Sequence, residues 1–258
     1  MSAELLAARG IDVRFGRLQV LVDLDLTVHR GELLGIIGPN GAGKSTLLSV
    51  LGGTTSPQDG RILLDGVDIT SKKSSWRSRQ GIATSYQIPR PFLGMTVYEN
   101  ALVAARFAGN LRGREAQESA IESISLAHLD RFADVPAQDL RLLDRKRLEV
   151  ARALASKPRL LLLDEIAGGL TESEVPELLT LVRGVLDAGV TVVWIEHVVH
   201  ALLSVATRMI CLTYGSILAE GDPHDVMASP AVRQVYLGIE PDDDVLGGAE
   251  KKLSLIHI

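Results

Sequence analysis

The sequence predicts an α/β fold, a mostly parallel sheet with an antiparallel β portion, into which a helical lobe is inserted. Three observations carry that expectation. Short, wholly apolar runs stop abruptly on polar residues; stretches with helical spacing lie between them; and from Pro89 to Asp139 the buried-strand character disappears. Apolar strands alternating with helices imply a parallel sheet covered on both faces, and ligands of such sheets gather at the carboxyl ends of the strands. A length of 258 residues suits one large α/β domain or a core plus a lobe.

Taken in order, the clusters between Leu18 and Ile37 are apolar but broken by charge, as strands are. The run Leu33 to Ile37 enters a glycine loop and then the apolar stretch Leu47 to Leu51, which reads strand, loop, helix. Thr96-Val97-Tyr98-Glu99 has the form of a capping box and should start a helix running to about Phe107. A second helix is expected from Arg114 to Phe132, with Ile121, Ile124 and Leu129 on its apolar side. Leu160 to Leu163 reads as a buried strand ending on Asp164 and Glu165. Val175, Leu178, Leu179, Val182, Val185 and Leu186 repeat at helical spacing, with Pro176 tolerated in the first turn. Val190 to Ile195 is another buried strand, ending on Glu196 and His197. From Met209 to Gly221 two short strands joined at Tyr214-Gly215 form a hairpin, followed by two short helices.

These elements give one domain over residues 1–247, with its core in 1–87 and 146–238 and a helical lobe at about 88–145. Residues 248–258 form a tail. Its last six residues, Leu253 to Ile258, match the translation of a sequencing-library transposase adaptor and are read as adaptor-derived.

Composition narrows the function classes. Apolar residues make up 46% and charged residues 23%, which allows a packed core. Lys plus Arg number 27 against 32 Asp plus Glu, a net charge of -5 that offers no bulk attraction to nucleic acid or an anionic bilayer. A single cysteine, Cys211, excludes an internal disulfide framework and a cysteine-cluster metal site, and suits a reducing cytosol. The opening residues lack the build of a secretion signal, and no apolar run approaches the roughly 20 residues needed to cross a membrane. A soluble intracellular protein is expected.

Gly38-Pro39-Asn40-Gly41-Ala42-Gly43-Lys44-Ser45 satisfies the phosphate-loop pattern G-x-x-x-x-G-K-[ST] in full, in its required context between strand and helix. Glycines let backbone N–H groups wrap a phosphate, and the helix that opens at Lys44, Ser45 and Thr46 points its positive end at it. Lys44 can reach β and γ phosphates, and the Ser45 hydroxyl can ligate magnesium. Asp164 and Glu165 end a strand on the same sheet edge. Neighbouring carboxylates can divide labour there, one holding a metal and the other orienting or deprotonating water. His197, at a third strand end, lies where a γ-phosphate should sit. His29, His128, His200 and His224 carry no such argument.

The ordered set resembles the nucleotide-binding subunits of ABC transporters, from about Leu5 to Gly238. The glycine loop is similar to the Walker A motif, Gln87 in TSYQIPRP to the Q-loop, LLLLDE to the Walker B motif with catalytic Glu165, and His197 in IEH to the switch histidine. The resemblance implies a P-loop NTPase core that binds ATP and Mg2+. It places Phe15 against adenine and Ser45, Gln87 and Asp164 around the metal, and makes Gln87 the link between nucleotide and helical lobe. RPFLGMTVYENALVA, RKRLEVARAL and SPAVRQVYLG are similar to the ATPases of branched-chain amino-acid importers. Such subunits sit on the cytoplasmic face of the plasma membrane with two membrane permeases, a second ATPase subunit and an external solute-binding protein, and they bind no nucleic acid. Urea or amide importers and the lipopolysaccharide-export ATPase share much of the pattern. A soluble ABC ATPase and a non-hydrolysing regulatory subunit remain rivals from other classes.

One motif departs from the family. Where LSGGQ is expected, the chain reads Leu140-Arg141-Leu142-Leu143-Asp144. In the family this motif binds the γ-phosphate held by the opposite subunit, and Leu142 and Leu143 add side chains where close approach needs none. Asp144 either brings negative charge towards that phosphate or caps its own helix, and Arg141 offers a compensating cation. A heterodimer with an intact partner signature is therefore favoured.

Overall fold

The computed structural model describes residues 3–85 and 90–237. Two sheets make the core. One is antiparallel, in the order β2-β1-β4-β5, from β1 (Glu4–Phe15), β2 (Leu18–His29), β4 (Asp59–Leu64) and β5 (Val67–Asp68). The other has six strands in the order β10-β9-β3-β8-β7-β6. These are β3 (Leu33–Ile37), β6 (Ile82–Ser85), β7 (Leu160–Asp164), β8 (Thr191–Ile195), β9 (Arg208–Thr213) and the antiparallel edge strand β10 (Ser216–Gly221). The strands from β9 through β6 all run parallel.

The period of two explains why the parallel strands read as unbroken apolar runs. Leu34 and Ile36, Leu160 and Leu162, and Val193 and Ile195 face the antiparallel sheet and helix α1 (Lys44–Gly52), while Leu33 and Ile37, Leu161 and Leu163, and Val192 and Trp194 face the helices on the other side. Both faces are buried, so no polar alternation survives.

Helix α3 (Val97–Phe107) opens with a reciprocal capping box. Thr96 Oγ1 accepts from Glu99 N at 3.1 Å, and Glu99 Oε2 accepts from Thr96 N at 2.8 Å. The next helix is shorter than the sequence predicts. Helix α4 (Gly113–Leu126) stops because His128 turns left-handed (φ 55°), with His128 N bonded to Ser125 O at 2.9 Å and Leu129 N to Ile124 O at 3.0 Å. That is a Schellman ending, after which Asp130–Phe132 forms one 3-10 turn. Ile121 is also misplaced by the sequence reading. The buried stripe of α4 is Ala116, Ser119, Ala120, Ser123 and Ile124, and Ile121 lies off it at 57% exposure.

Helix α5 (Leu142–Leu154) packs against α3 and α4, and α6 (Val175–Asp187) packs beside it with Pro176 in its first turn. A fully buried arginine braces the phosphate-loop helix from behind. Arg77, in α2 (Ser74–Arg79), donates to Val50 O and Leu51 O at 2.7 and 2.8 Å, among the last carbonyls of α1. Burial lowers its pKa to about 10. Three short helices complete the described residues: α7 (Val199–Leu203), α8 (Pro223–Ala228) and α9 (Pro230–Leu237).

Candidate functional site

Three adjacent parallel strands, β3, β8 and β7, end on one sheet edge and deliver the residues singled out in the sequence. After β3 the loop threads between β9 and β2, and there its glycines are obligatory. A Cβ on Gly38 (φ 151°) would lie 2.1 Å from Leu212 O, and one on Gly43 (φ 103°) would lie 2.8 Å from Val20 O. Gly43 is also the N-cap of α1, so Lys44, Ser45 and Thr46 form that helix's first turn. Pro39, Asn40, Gly41 and Ala42 make the loop between, with Ala42 N donating to Pro39 O at 3.2 Å. Lys44 is buried, and its Nζ donates to Gly38 O at 2.7 Å and Pro39 O at 3.1 Å.

Strand β7 ends at Asp164. Glu165 then adopts a left-handed backbone (φ 48°), and its N–H donates to Ile195 O at 2.9 Å, tying it to the end of β8. That turn sets Glu165 Oε1 2.8 Å from His197 Nε2. Two residues from different strands, both picked out by sequence, therefore meet side chain to side chain.

The charges are mutually arranged. Burial pushes the Lys44 pKa down, while Glu165 and Asp164 oppose that shift and favour the charged ammonium. Burial and the neighbouring Glu165 push the Asp164 carboxyl up, and the Ser45 hydroxyl bonded to it pulls the other way. Asp164 Oδ1 is buried with no hydrogen-bond partner among the described residues. An orphaned carboxylate oxygen beside the Ser45 hydroxyl is a hard, all-oxygen donor pair, and that fits magnesium, which keeps waters and takes phosphate oxygens for its remaining positions. Gln87, the third expected metal ligand, lies outside the described residues. Phe15 stands exposed at the tip of the β1–β2 hairpin, whose Val20 and Leu21 pack against Gly43.

The head of α5 differs from what its sequence suggests. Arg141 is the N-cap residue without a side-chain cap bond, and Leu142 and Leu143 are the first helical residues. Leu142 is 44% exposed, and its Cδ2 lies 3.4 Å from where a Cβ on Gly169 would be; Leu143 is buried. Asp144 neither caps the helix nor points outward. Its Oδ1 lies 3.4 Å from Arg147 Nη1, and Arg147 Nη2 continues to Glu177 Oε2 of α6 at 2.5 Å. An acidic residue in a first turn suits the helix dipole, and Arg147 draws it inward.

Sequence reasoning assigned nothing to Glu196 and Lys146, both buried here. Burial lowers the Lys146 pKa, while Glu196 and Glu165 favour its charge. The available signal was Glu196 itself, a carboxylate two residues after Trp194 at the end of a strand that is otherwise almost wholly apolar.

Comparison with known proteins gives the same picture. The sequence model of the family described as "ABC transporter" matches residues 21–168, and that of the "Branched-chain amino acid ATP-binding cassette transporter" matches residues 216–241. The chain is 34% identical over 253 residues to the high-affinity branched-chain amino acid transport ATP-binding protein BraF of Pseudomonas aeruginosa, covering 92% of this chain and 99% of that one. It is 35% identical over 236 residues to the lipopolysaccharide export system ATP-binding protein LptB of Acidithiobacillus ferridurans, covering 92% and 98%. A crystal structure of a nucleotide-free ATP-binding cassette from an ABC transporter superposes with a TM-score of 0.84 at 28% identity, covering 92% of this chain and all of that one.

Proposed function

The chain belongs to the ATP-binding subunits of ABC transporters, ATP-hydrolysing cassettes that serve membrane permeases, and from that premise we propose that it powers import of branched-chain or other hydrophobic amino acids. The observation that carries the chemistry is the Glu165–His197 pair, 2.8 Å apart on the sheet edge that also holds Lys44. ATP lies with its phosphates against the loop N–H groups and Lys44, and its adenine against Phe15. Glu165 accepts a proton from the attacking water as the new bond to Pγ forms and the bond to the β-γ bridging oxygen breaks. His197 holds Glu165 in place and meets the γ-phosphate. Magnesium, when bound at Ser45, Asp164 and Gln87, neutralises developing charge. General-base help of this kind is worth about 10²–10⁴-fold.

Support for the substrate class comes from the far end of the chain, where the branched-chain transporter match covers residues 216–241, together with BraF. LptB is equally similar, and its identity favours lipopolysaccharide export as the second reading. Uptake of radiolabelled leucine, isoleucine and valine by cells lacking this chain decides between them. Loss of uptake, restored by the gene, is expected. Normal uptake with a cell-envelope defect would transfer the assignment to export.

The partners proposed are two permeases, an external solute-binding protein and a second, different ATPase subunit, at the cytoplasmic face of the inner membrane. Two ATPase subunits close face to face over two nucleotides, each held by one chain's phosphate loop and the other's signature. Leu142 and Leu143 occupy positions where the γ-phosphate needs bare backbone. The site built on this chain's loop and a partner's intact signature is then the hydrolytic one, and the site facing Arg141 to Asp144 turns over slowly.

A further inference from the structure

We propose that Glu196 is a positioning residue for hydrolysis, its buried carboxylate fastening the turn after Glu165 to the turn that carries His197 and so fixing the spacing of that pair. The inference rests on the roles proposed above for Glu165 and His197 and adds a residue that they do not include.

The backbone ladder between β7 and β8 ends with Asp164 opposite Ile195 and the bond from Glu165 N to Ile195 O. Beyond that point the Glu196 side chain takes over. Its Oε1 accepts from Ala167 N at 2.6 Å and Trp194 Nε1 at 3.2 Å, and its Oε2 accepts from His197 N at 3.2 Å. Ala167 lies two residues after Glu165, and His197 is the pair's other member, so one rigid group holds both catalytic segments.

Residue type supports this reading over simple packing. Glu196 is 1% exposed, and an ionised carboxylate is among the costliest groups to bury without partners. Burial raises its carboxyl pKa, and the N–H groups of Ala167, Val198, His197 and Trp194 pull it back. A carboxylate is acceptor-only with about four lone-pair sites, which suits a ring of N–H donors. Lys146, buried on α5, supplies the favourable positive charge and couples it to the helix headed by Arg141 and Leu142.

The test is steady-state ATP hydrolysis by the full chain assembled with its permease and ATPase companions, with binding of a fluorescent ATP analogue measured alongside. Glu196→Gln keeps the volume but turns an NH2 group towards backbone N–H donors. A misplaced catalytic group costs on the order of a hundredfold, so kcat should fall by about tenfold to a hundredfold, while KM and analogue affinity stay within about twofold. In a His197→Ala background the same change should cost no more than about twofold, because the spacing it protects no longer matters. An equal loss in both backgrounds, a raised KM at intact kcat, or an unchanged kcat would each overturn the proposal. If Glu196→Gln does not fold, Glu196→Asp keeps the charge facing Lys146 and withdraws the carboxylate by one methylene; the same kcat-selective loss is expected, and its absence overturns the proposal. Parent-level turnover in Glu165→Gln and His197→Ala would instead remove the catalytic roles beneath it.

Discussion

The sheet edge and the head of α5 are the two surfaces of this chain that the proposed dimer brings against nucleotide, and they are built on opposite principles. At the sheet edge, side chains are absent where backbone must approach closely, at Gly38 and Gly43, and Lys44, Asp164 and Glu165 crowd together with His197 beside them. At the head of α5 the close-approach positions carry Leu142 and Leu143, and the first-turn carboxylate, Asp144, is turned inward to Arg147. The first surface holds its charges in place for a ligand. The second turns its first-turn carboxylate to an arginine within the protein. That contrast is what the one-site-per-pair arrangement proposed above requires.

Four substitutions break or sharpen that contrast. The largest effect is expected at the α5 head. Arg147→Met leaves Asp144 buried without its partner, and breaking such a pair costs about 3–5 kcal/mol; chemical denaturation should show it, and an unchanged midpoint would mean that Asp144 is not held by Arg147. At the sheet edge, Lys44→Ala removes charged contacts to phosphate worth about 1.5–3 kcal/mol each, weakening ATP binding by on the order of a hundredfold with the fold intact. Equilibrium binding with a fluorescent analogue reads this directly. Gly38→Ala drives a methyl group into Leu212 O and should destabilise by about 1–3 kcal/mol, in thermal melts as well as nucleotide affinity.

The smallest effect has the opposite sign. Burial makes Asp164 hold a proton more tightly folded than unfolded, so between the ordinary carboxylate range and the raised value the folded chain binds more protons, and stability declines as pH rises through that window. Asp164→Asn is neutral throughout. It should raise the melting temperature at pH 7, the gain disappearing at acid pH, while hydrolysis is lost. A melting temperature lowered at pH 7 would show that Asp164 is not a desolvated carboxylate kept for function.

Residues whose meaning is local were the readable ones. The glycine loop, the capping box at Thr96 and the apolar runs ending on Asp164 and Ile195 follow from spacing and residue type alone. The antiparallel strands β1, β4 and β5 went unread: β1 and β4 pair across a long stretch of chain, Leu6 opposite Leu64 for example, and β5 is only two exposed residues. The length of α4 failed for a different reason. Its end is set by a left-handed histidine where glycine is usual, and its buried face includes Ser119 and Ser123, which the periodicity of apolar residues does not register. Asp144 and Glu196 show the same limit at the candidate site. Each is a carboxylate whose setting depends on another element: Asp144 turns to Arg147 one helical turn along α5, which Glu177 of α6 holds from its far side, and Glu196 accepts from Ala167 beyond β7.

The contrast between the two surfaces is tested most directly by ATP turnover of the assembled transporter carrying Glu165→Gln in this chain alone, the companion subunit left intact. With water activation removed at the one competent site, turnover should fall by on the order of 10²-fold or more while both subunits still bind ATP. Turnover near the parent rate would place hydrolysis at the site facing Arg141 to Asp144 and contradict the account.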